Sequence, residues 1–191
     1  MPKIKLIVFD VDGTLAEKYS VVLLPGVSRF FDLLIQGDCP NAPKTAIATN
    51  QGGVGMRYWM EQGGFGKPGK FPTVNQIDMR MKELVELIGR GSSIPVYASY
   101  RFQTKQGKWA PVPPEETENP NWEQEWRKPL PGMLIQAMQD AGTAPHETLF
   151  VGDREDDRGA AQSAGCAFGW ANDFFARSWS SCDQLERLLE D

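Results

Sequence analysis

The chain has 191 residues, of which 41% are hydrophobic and 24% charged, and it carries a net charge of −5. That length is enough for one domain with a substantial core, and the composition is ordinary for a globular protein. The negative balance excludes a global attraction to nucleic acid or anionic membrane, leaving only a local basic patch open, and no apolar run approaches membrane-spanning length.

Strand and helix signals alternate along the chain. Met1-Pro2-Lys3-Ile4 leads straight into an apolar run over residues 4–9, the first expected strand, with no room for a signal peptide. Residues 27–35 read as a helix with Phe30, Phe31, Leu34 and Ile35 on its apolar face, and residues 45–49 as a short strand. The clearest helix is 73–88. Thr73 and Gln76 make a capping-box pattern, Ile77, Met81, Leu84, Val85 and Ile88 share one face, and Gly89 suits the stop. Residues 94–100 read as a strand, 131–141 as a helix opened by Pro131 and closed before Gly142, and 148–151 as a strand. A short helix at 157–164, a strand at 166–170 and a helix at 183–189 complete the pattern. Such alternation predicts an α/β fold, a parallel sheet covered by helices, in a single domain over 1–191. Two excursions interrupt it, 52–72 (rich in Gly, Lys and aromatics) and 103–129 (rich in Pro, Glu and Trp), and both are long enough to be lids or binding loops. Cys39, Cys166 and Cys182 are odd in number and widely spaced, which predicts buried small hydrophobes in a reducing cytoplasm rather than a disulfide framework.

The chemistry concentrates at Asp10-Val11-Asp12-Gly13-Thr14. Two carboxylates one residue apart sit where a buried strand ends, and open α/β sheets place their ligands there. Like charges so close repel, and a cation relieves them, so the arrangement suits an Asp–Mg2+ phosphoryl-transfer site.

This string resembles the first motif of the haloacid-dehalogenase-like (HAD) phosphatases. Ile47-Ala48-Thr49-Asn50-Gln51, Arg127-Lys128-Pro129-Leu130-Pro131-Gly132-Met133 and Val151-Gly152-Asp153-Arg154-Glu155-Asp156-Asp157 resemble the second, third and fourth motifs, in the right order, over roughly residues 4–175. The resemblance implies a three-layer, doubly wound parallel sheet of the Rossmann-like HAD type. It also implies a phosphomonoester hydrolase acting through an aspartyl-phosphate. Asp10 would be the nucleophile and Asp12 the acid and base. Mg2+ would be held by Asp10, the Asp12 backbone carbonyl and Asp153. Thr49 and the Asn50 N–H would take phosphate oxygens, with Arg127 beside them, and Lys128 would neutralise the phosphoryl charge. Thr14 would support the first motif. Asp157 would orient Lys128 or a metal-bound water, with Asp156 the competing candidate. Both also suit a helix N-terminus by charge alone.

Thr49-Asn50-Gln51-Gly52-Gly53-Val54-Gly55 and the Lys128 motif are similar to the minimal-cap subgroup: histidinol-phosphate phosphatases, heptose-bisphosphate phosphatases and the phosphatase domain of polynucleotide kinase/phosphatases. The first two commonly carry a zinc loop before the third motif. Residues 95–127 hold no Cys and no His, so no zinc site is expected. The absence strengthens a polynucleotide 3′-phosphate end as substrate relative to a small-molecule phosphate, as does the likeness of Trp170-Ala171-Asn172-Asp173-Phe174-Phe175 to the C-terminal region of the DNA-repair type. Against it, Glu115, Glu116, Glu118, Glu123 and Glu125 would repel a nucleic-acid backbone. A catalytically silent phospholigand-binding subunit is the alternative of another class.

Weaker signals have plain readings. Gly64–Lys70 mimics a Walker A loop, but Phe71 stands where a hydroxyl should bind Mg2+ and no apolar strand precedes it, so a P-loop kinase is excluded. With Arg57 that loop offers either distal-phosphate contacts or an ordinary solvated surface. Trp109, Trp122 and Trp126 are expected to anchor their loop to the core rather than stack on bases, and His146 to lie on the surface.

Overall fold

The computed structural model describes residues 4–36, 39 and 41–184. Five strands, β1 (Leu6–Phe9), β2 (Lys44–Asn50), β3 (Val96–Ser99), β4 (Thr148–Gly152) and β5 (Ala167–Trp170), form one sheet in the order β3-β2-β1-β4-β5. All four pairings are parallel, with Phe9 opposite Ile47 on one side and Val151 on the other. The helices are α1 (Val27–Gln36), α2 (Gly53–Gly63), α3 (Val74–Gly89), α4 (Gly132–Ala141), α5 (Glu155–Ala164) and α6 (Ala171–Phe175).

Side-chain alternation along β1 builds the layers. Ile7 and Phe9 face a core shared with α1, α3 and α6, while Leu6 and Val8 face the opposite core under α4 and α5. Phe9 anchors the first by packing against Phe30, Phe31, Phe174 and Phe175 at ring-centroid distances of 5.5–6.0 Å. On the other face, Ala137, Ala160 and Ala161 let two helices approach the sheet closely. Burial on both faces explains why β1 reads as a continuous apolar run. The α3 cap forms as its sequence dictates: Gln76 N donates to Thr73 Oγ1 at 3.2 Å and Thr73 N to Gln76 Oε1 at 2.9 Å. The chain winds from β1 outward to β3, then returns to β4, so the order reverses between β1 and β4. A ligand crevice is expected outside the carboxyl ends of those two strands.

Two expectations are corrected, and one segment without an expectation proves helical. The excursion 52–72 is not loop throughout, because α2 occupies Gly53–Gly63. Its glycines, which read as loop, serve packing: Gly55 N donates to Tyr100 O at 3.0 Å, and a Cβ on Gly55 would collide with that carbonyl. Residues 171–175, unassigned from sequence, form α6. Cys39 and Cys182 are joined in a disulfide across 143 residues instead of serving as buried small hydrophobes. The remaining thiol, Cys166, is half-buried against the α4–α5 core, which pushes its pKa up to about 11. The helix expected at 183–189 lies mostly outside the described residues, as does the start of the chain at Met1–Lys3. Among the described residues no helix is long and apolar enough to cross a membrane.

The excursion 103–129 is held down by its tryptophans. Trp122 is buried in the main core against Tyr58 and Tyr100, and Trp126 packs on Tyr97. Trp109 lies 5.1 Å from the Arg101 guanidinium. His146 is exposed in the turn before β4.

Candidate active site

Asp10 extends β1 by one residue, its N–H donating to Val151 O at 2.9 Å, and its carboxylate emerges where the order of the sheet reverses. The chain then turns through Gly13, whose φ is +92°. That position needs glycine twice over. The angle is left-handed, and a Cβ there would run into the Asp153 carboxylate, with Cγ at 2.8 Å. Asp153 follows β4 directly, so the two central strands deliver Asp10 and Asp153 side by side.

Lys128 reaches them from the loop before α4. Its Nζ donates to Asp10 Oδ1 at 2.6 Å and to Ala48 O at 2.9 Å, and it pairs with Asp157 Oδ1 at 2.7 Å. Lysine and both acids are buried. Asn50 sets the lysine's backbone in a reciprocal pair: its Nδ2 donates to Lys128 O and its Oδ1 accepts from Lys128 N, both at 3.0 Å. Asp157, on the first turn of α5, uses its other oxygen to accept from Asp153 N at 3.1 Å and Arg154 N at 3.0 Å. Of the two neighbouring acids it is therefore Asp157 that touches Lys128, while Asp156 is exposed at the rim.

Burial raises the Asp10 pKa to about 6 against the pull of Lys128, with the charge of Asp157 adding to the rise. For Lys128 burial works against the charge, but the two carboxylates outweigh it and hold the ammonium more firmly protonated than usual. Burial, then Asp157, raises Asp153. Oxygens of Asp10, Asp153 and Asp157 lie within 4.8 Å of one another. Asp153 Oδ1 is buried without a hydrogen-bond partner, a costly state that an ion would relieve. Three carboxylates against one ammonium leave an excess of negative charge and an all-oxygen donor set, which fits a hard divalent cation.

Asp12 faces a different set of groups. Arg80 of α3 grips it as a fork, Nη2 to Oδ1 at 2.7 Å and Nη1 to Oδ2 at 3.4 Å, while Tyr19 N donates to Oδ1 at 3.0 Å and Gln51 Nε2 to Oδ2 at 3.1 Å. Burial opposes the charge, but these bonds prevail and hold the carboxyl below its ordinary pKa. Gln51 also donates to Thr49 Oγ1 at 3.0 Å, placing the threonine hydroxyl in the same network. Thr14 is buried with its hydroxyl unpaired. Arg127 donates to Arg101 O at 2.9 Å and its burial lowers its pKa.

A cavity of about 1050 Å³ opens over these groups. Asp10, Asp12, Asn50, Arg127, Lys128 and Asp157 all line it, together with the turn at Lys18–Val22 and the loop at Gly69–Pro72. Arg57, left open between a distal-phosphate contact and a solvated surface, ties that loop down, donating to Phe71 O at 3.0 Å and pairing with Glu61 at 2.9 Å. Lys70 and Phe71 line the cavity in its place. Sequence reasoning missed Arg80, since an arginine on a long helix carries no signal apart from sitting three residues after a core isoleucine.

The sheet order, with acids after its two central strands and a lysine before α4, is that of the haloacid-dehalogenase-like hydrolase fold. A family model described as HAD-hydrolase-like matches residues 125–170, which contain Lys128, Asp153 and Asp157. A D,D-heptose 1,7-bisphosphate phosphatase from B. bronchiseptica, solved with magnesium and phosphate, is similar with TM-score 0.56 and 22% identity over 86% of this chain and 79% of that one. A putative HAD-like phosphatase from Mesorhizobium loti is similar with TM-score 0.56 and 23% identity over 89% and 73% of the two chains. No curated protein sequence matched the chain. These likenesses establish the fold.

Proposed function

We propose that the chain is a Mg2+-dependent phosphomonoester hydrolase that works through phosphorylated Asp10. The observation that carries this reading is the buried Asp10–Lys128–Asp157 chain, which lines the cavity, beside an unpartnered Asp153 oxygen. Asp157 is committed to Lys128 and two backbone amides, so Asp10 and Asp153, with the Asp12 carbonyl, would hold the ion. When bound, Mg2+ supplies charge neutralisation at the phosphoryl oxygens.

Asp10 attacks phosphorus, and Lys128 lowers the repulsion that a carboxylate meets on approaching a phosphoryl group. Thr49 and the Asn50 N–H hold phosphate oxygens. Asp12, an ionised carboxylate in the grip of Arg80, suits taking a proton from the attacking water; to give one to the departing oxygen it must first be protonated out of that pairing. Arg127 adds positive charge to the cavity wall.

The cavity, about 1050 Å³, sits at the top of the small-molecule range of about 300–1,000 Å³ and has room for a phosphomonoester with a sizeable leaving group. A nucleic-acid 3′ end is the second reading, favoured by one observation. None of Glu115, Glu116, Glu118, Glu123 and Glu125 lines the cavity, whereas Lys18, Lys70, Arg80, Arg127 and Arg154 do. The repulsion foreseen from that loop is thus displaced from the site.

The test is phosphate release with and without Mg2+ from sugar phosphates, nucleotides, histidinol phosphate and 3′-phosphorylated oligonucleotides. Mg2+-dependent release from any member is expected, and the preferred member chooses between the two substrate readings. Tight phosphate binding with no release from the panel would favour a silent phospholigand-binding subunit.

A further inference from the structure

Two phenylalanines border the cavity without serving either core. Phe71 and Phe102 belong to neither packed cluster, both are half-buried, and both line the cavity together with Met56. Among the described residues Phe71 touches no other aromatic ring, and Phe102 meets Trp59 alone, at 6.3 Å. Their places are set by α2. A Cβ on Gly53 would lie 3.8 Å from Phe71 Cδ1 and 2.9 Å from Pro72 Cδ, and one on Gly55 would lie 3.4 Å from Phe102 Cβ. The glycines of this helix thus let both aromatic residues approach its first turn, which begins three residues after Asn50. The Phe71 backbone is pinned as well, since its carbonyl accepts from Arg57 Nη1 at 3.0 Å and its N–H donates to Pro68 O at 2.9 Å. The turn at Lys18–Val22 adds two exposed apolar side chains to the same lining, Tyr19 at 86% and Val22 at 57%. One exposed apolar residue is ordinary, but several on one cavity mark a surface that takes a ligand. The polar side chains nearby are committed: Gln76 Oε1 accepts from Thr73 N, and Arg80 holds Asp12 and Ser20 O. A leaving group of hydroxyls alone would lose its water there for few partners, whereas a flat ring would gain contact. Lys18, Lys70 and Arg154, all exposed, add positive charge to the lining against the exposed acids Glu83 and Asp156, which suits an anionic ester.

We infer that Phe71 and Phe102 form a platform for a nucleobase, so that the substrate is the phosphomonoester of a nucleoside, free or at the end of a strand. This inference rests on the hydrolase reading above and names the leaving group for it. The phosphoryl group belongs to the end of the cavity at Asp10 and Lys128, and the base to the phenylalanine faces. Stacking of this kind accepts any base, because each has a π-face, and it discriminates against an ester that has none.

The test uses two pairs of substrates that differ in whether a base is present: adenosine 5′-monophosphate against ribose 5-phosphate, and a 3′-phosphorylated oligonucleotide against the same strand ending in a stable abasic residue. Phosphate release with Mg2+ gives kcat/KM for wild type, Phe71→Ala, Phe102→Ala and Phe71→Trp. Wild type is expected to favour the base-bearing member at least about tenfold in one pair, mainly through KM, and the pair concerned tells a free nucleotide from a strand end. Each alanine substitution is expected to lower that ratio at least about threefold, and Phe71→Trp to keep it. Because the ratio is taken within one preparation, it does not depend on the folded fraction. A wild-type ratio short of that expectation in both pairs, or a ratio that neither alanine substitution lowers, would overturn the inference. Release from other phosphomonoesters of the panel but from none of these four would overturn it while leaving the hydrolase reading intact. No release from any phosphomonoester would overturn both.

Discussion

Lys128→Met removes the ammonium that lies 2.6 Å from Asp10 and 2.7 Å from Asp157 while keeping much of the side-chain volume. All three groups are buried, with side-chain exposures of 2%, 8% and 2% for Lys128, Asp10 and Asp157. Deleting one partner of a buried pair leaves an uncompensated charge and costs about 3–5 kcal/mol. For a chain of this length that corresponds to a fall in Tm of roughly 6–20 °C. The loss has a definite pH dependence. Asp10 already titrates near 6, above its unfolded value of 3.8, and without Lys128 it rises further. The folded variant then binds more protons than the unfolded chain throughout that interval, so its stability increases as pH falls. Urea unfolding in the presence of a chelator at pH 8 and pH 5 measures this, and the deficit of the variant is expected to be clearly smaller at pH 5. A deficit below about 1 kcal/mol at pH 8, or one equal at the two pH values, would refute the picture of two buried carboxylates held by one lysine.

Gly13→Ala would push a methyl into Asp153 at a backbone angle of +92°, so weaker Mg2+ binding and a cost of about 1–2 kcal/mol are expected, by calorimetry and thermal melting. Asp153→Asn should remove most of the stabilisation that Mg2+ gives the folded chain, read as the Tm shift on adding the ion; an unchanged shift would place the ion elsewhere. Asp12 is held below its ordinary pKa, so its contribution is complete above the unfolded value and disappears as pH falls through the folded one; titration of its carboxyl by NMR should show the depressed value in wild type and lose it in Arg80→Ala. Asp12→Asn should slow hydrolysis of the phosphorylated enzyme and let it accumulate, visible as an 80 Da increase in intact mass if about one phosphoryl group is retained.

Much of the sheet could be read in the sequence because its causes are local. The apolar residues of β1 and β4 are buried on both faces, and the α3 boundaries follow from the Thr73–Gln76 cap and the 3.6-residue stripe. Contacts set by distant partners were hidden. The glycines of α2 lower its helix propensity and make sense only once Tyr100 O is seen against Gly55. The Cys39–Cys182 bridge spans 143 residues, and an odd cysteine count does not reveal which two meet. Arg80 reaches Asp12 across 68 residues, and nothing in the sequence of α3 sets it apart from Asp78, Lys82, Glu83 and Glu86. Asp10 stands out because a buried strand runs into it, and Lys128, Asp153 and Asp157 through the resemblance of their motifs to those of HAD phosphatases. Their mutual distances required the fold.

The account stands most directly on the nucleophile. Phosphate release by wild type and by Asp10→Asn, on the best substrate of the panel and with or without Mg2+, measures it. The account predicts release by wild type with Mg2+ alone and none by Asp10→Asn, whose thermal melt shows that it is folded. Release by a folded Asp10→Asn at a rate near that of wild type would contradict it.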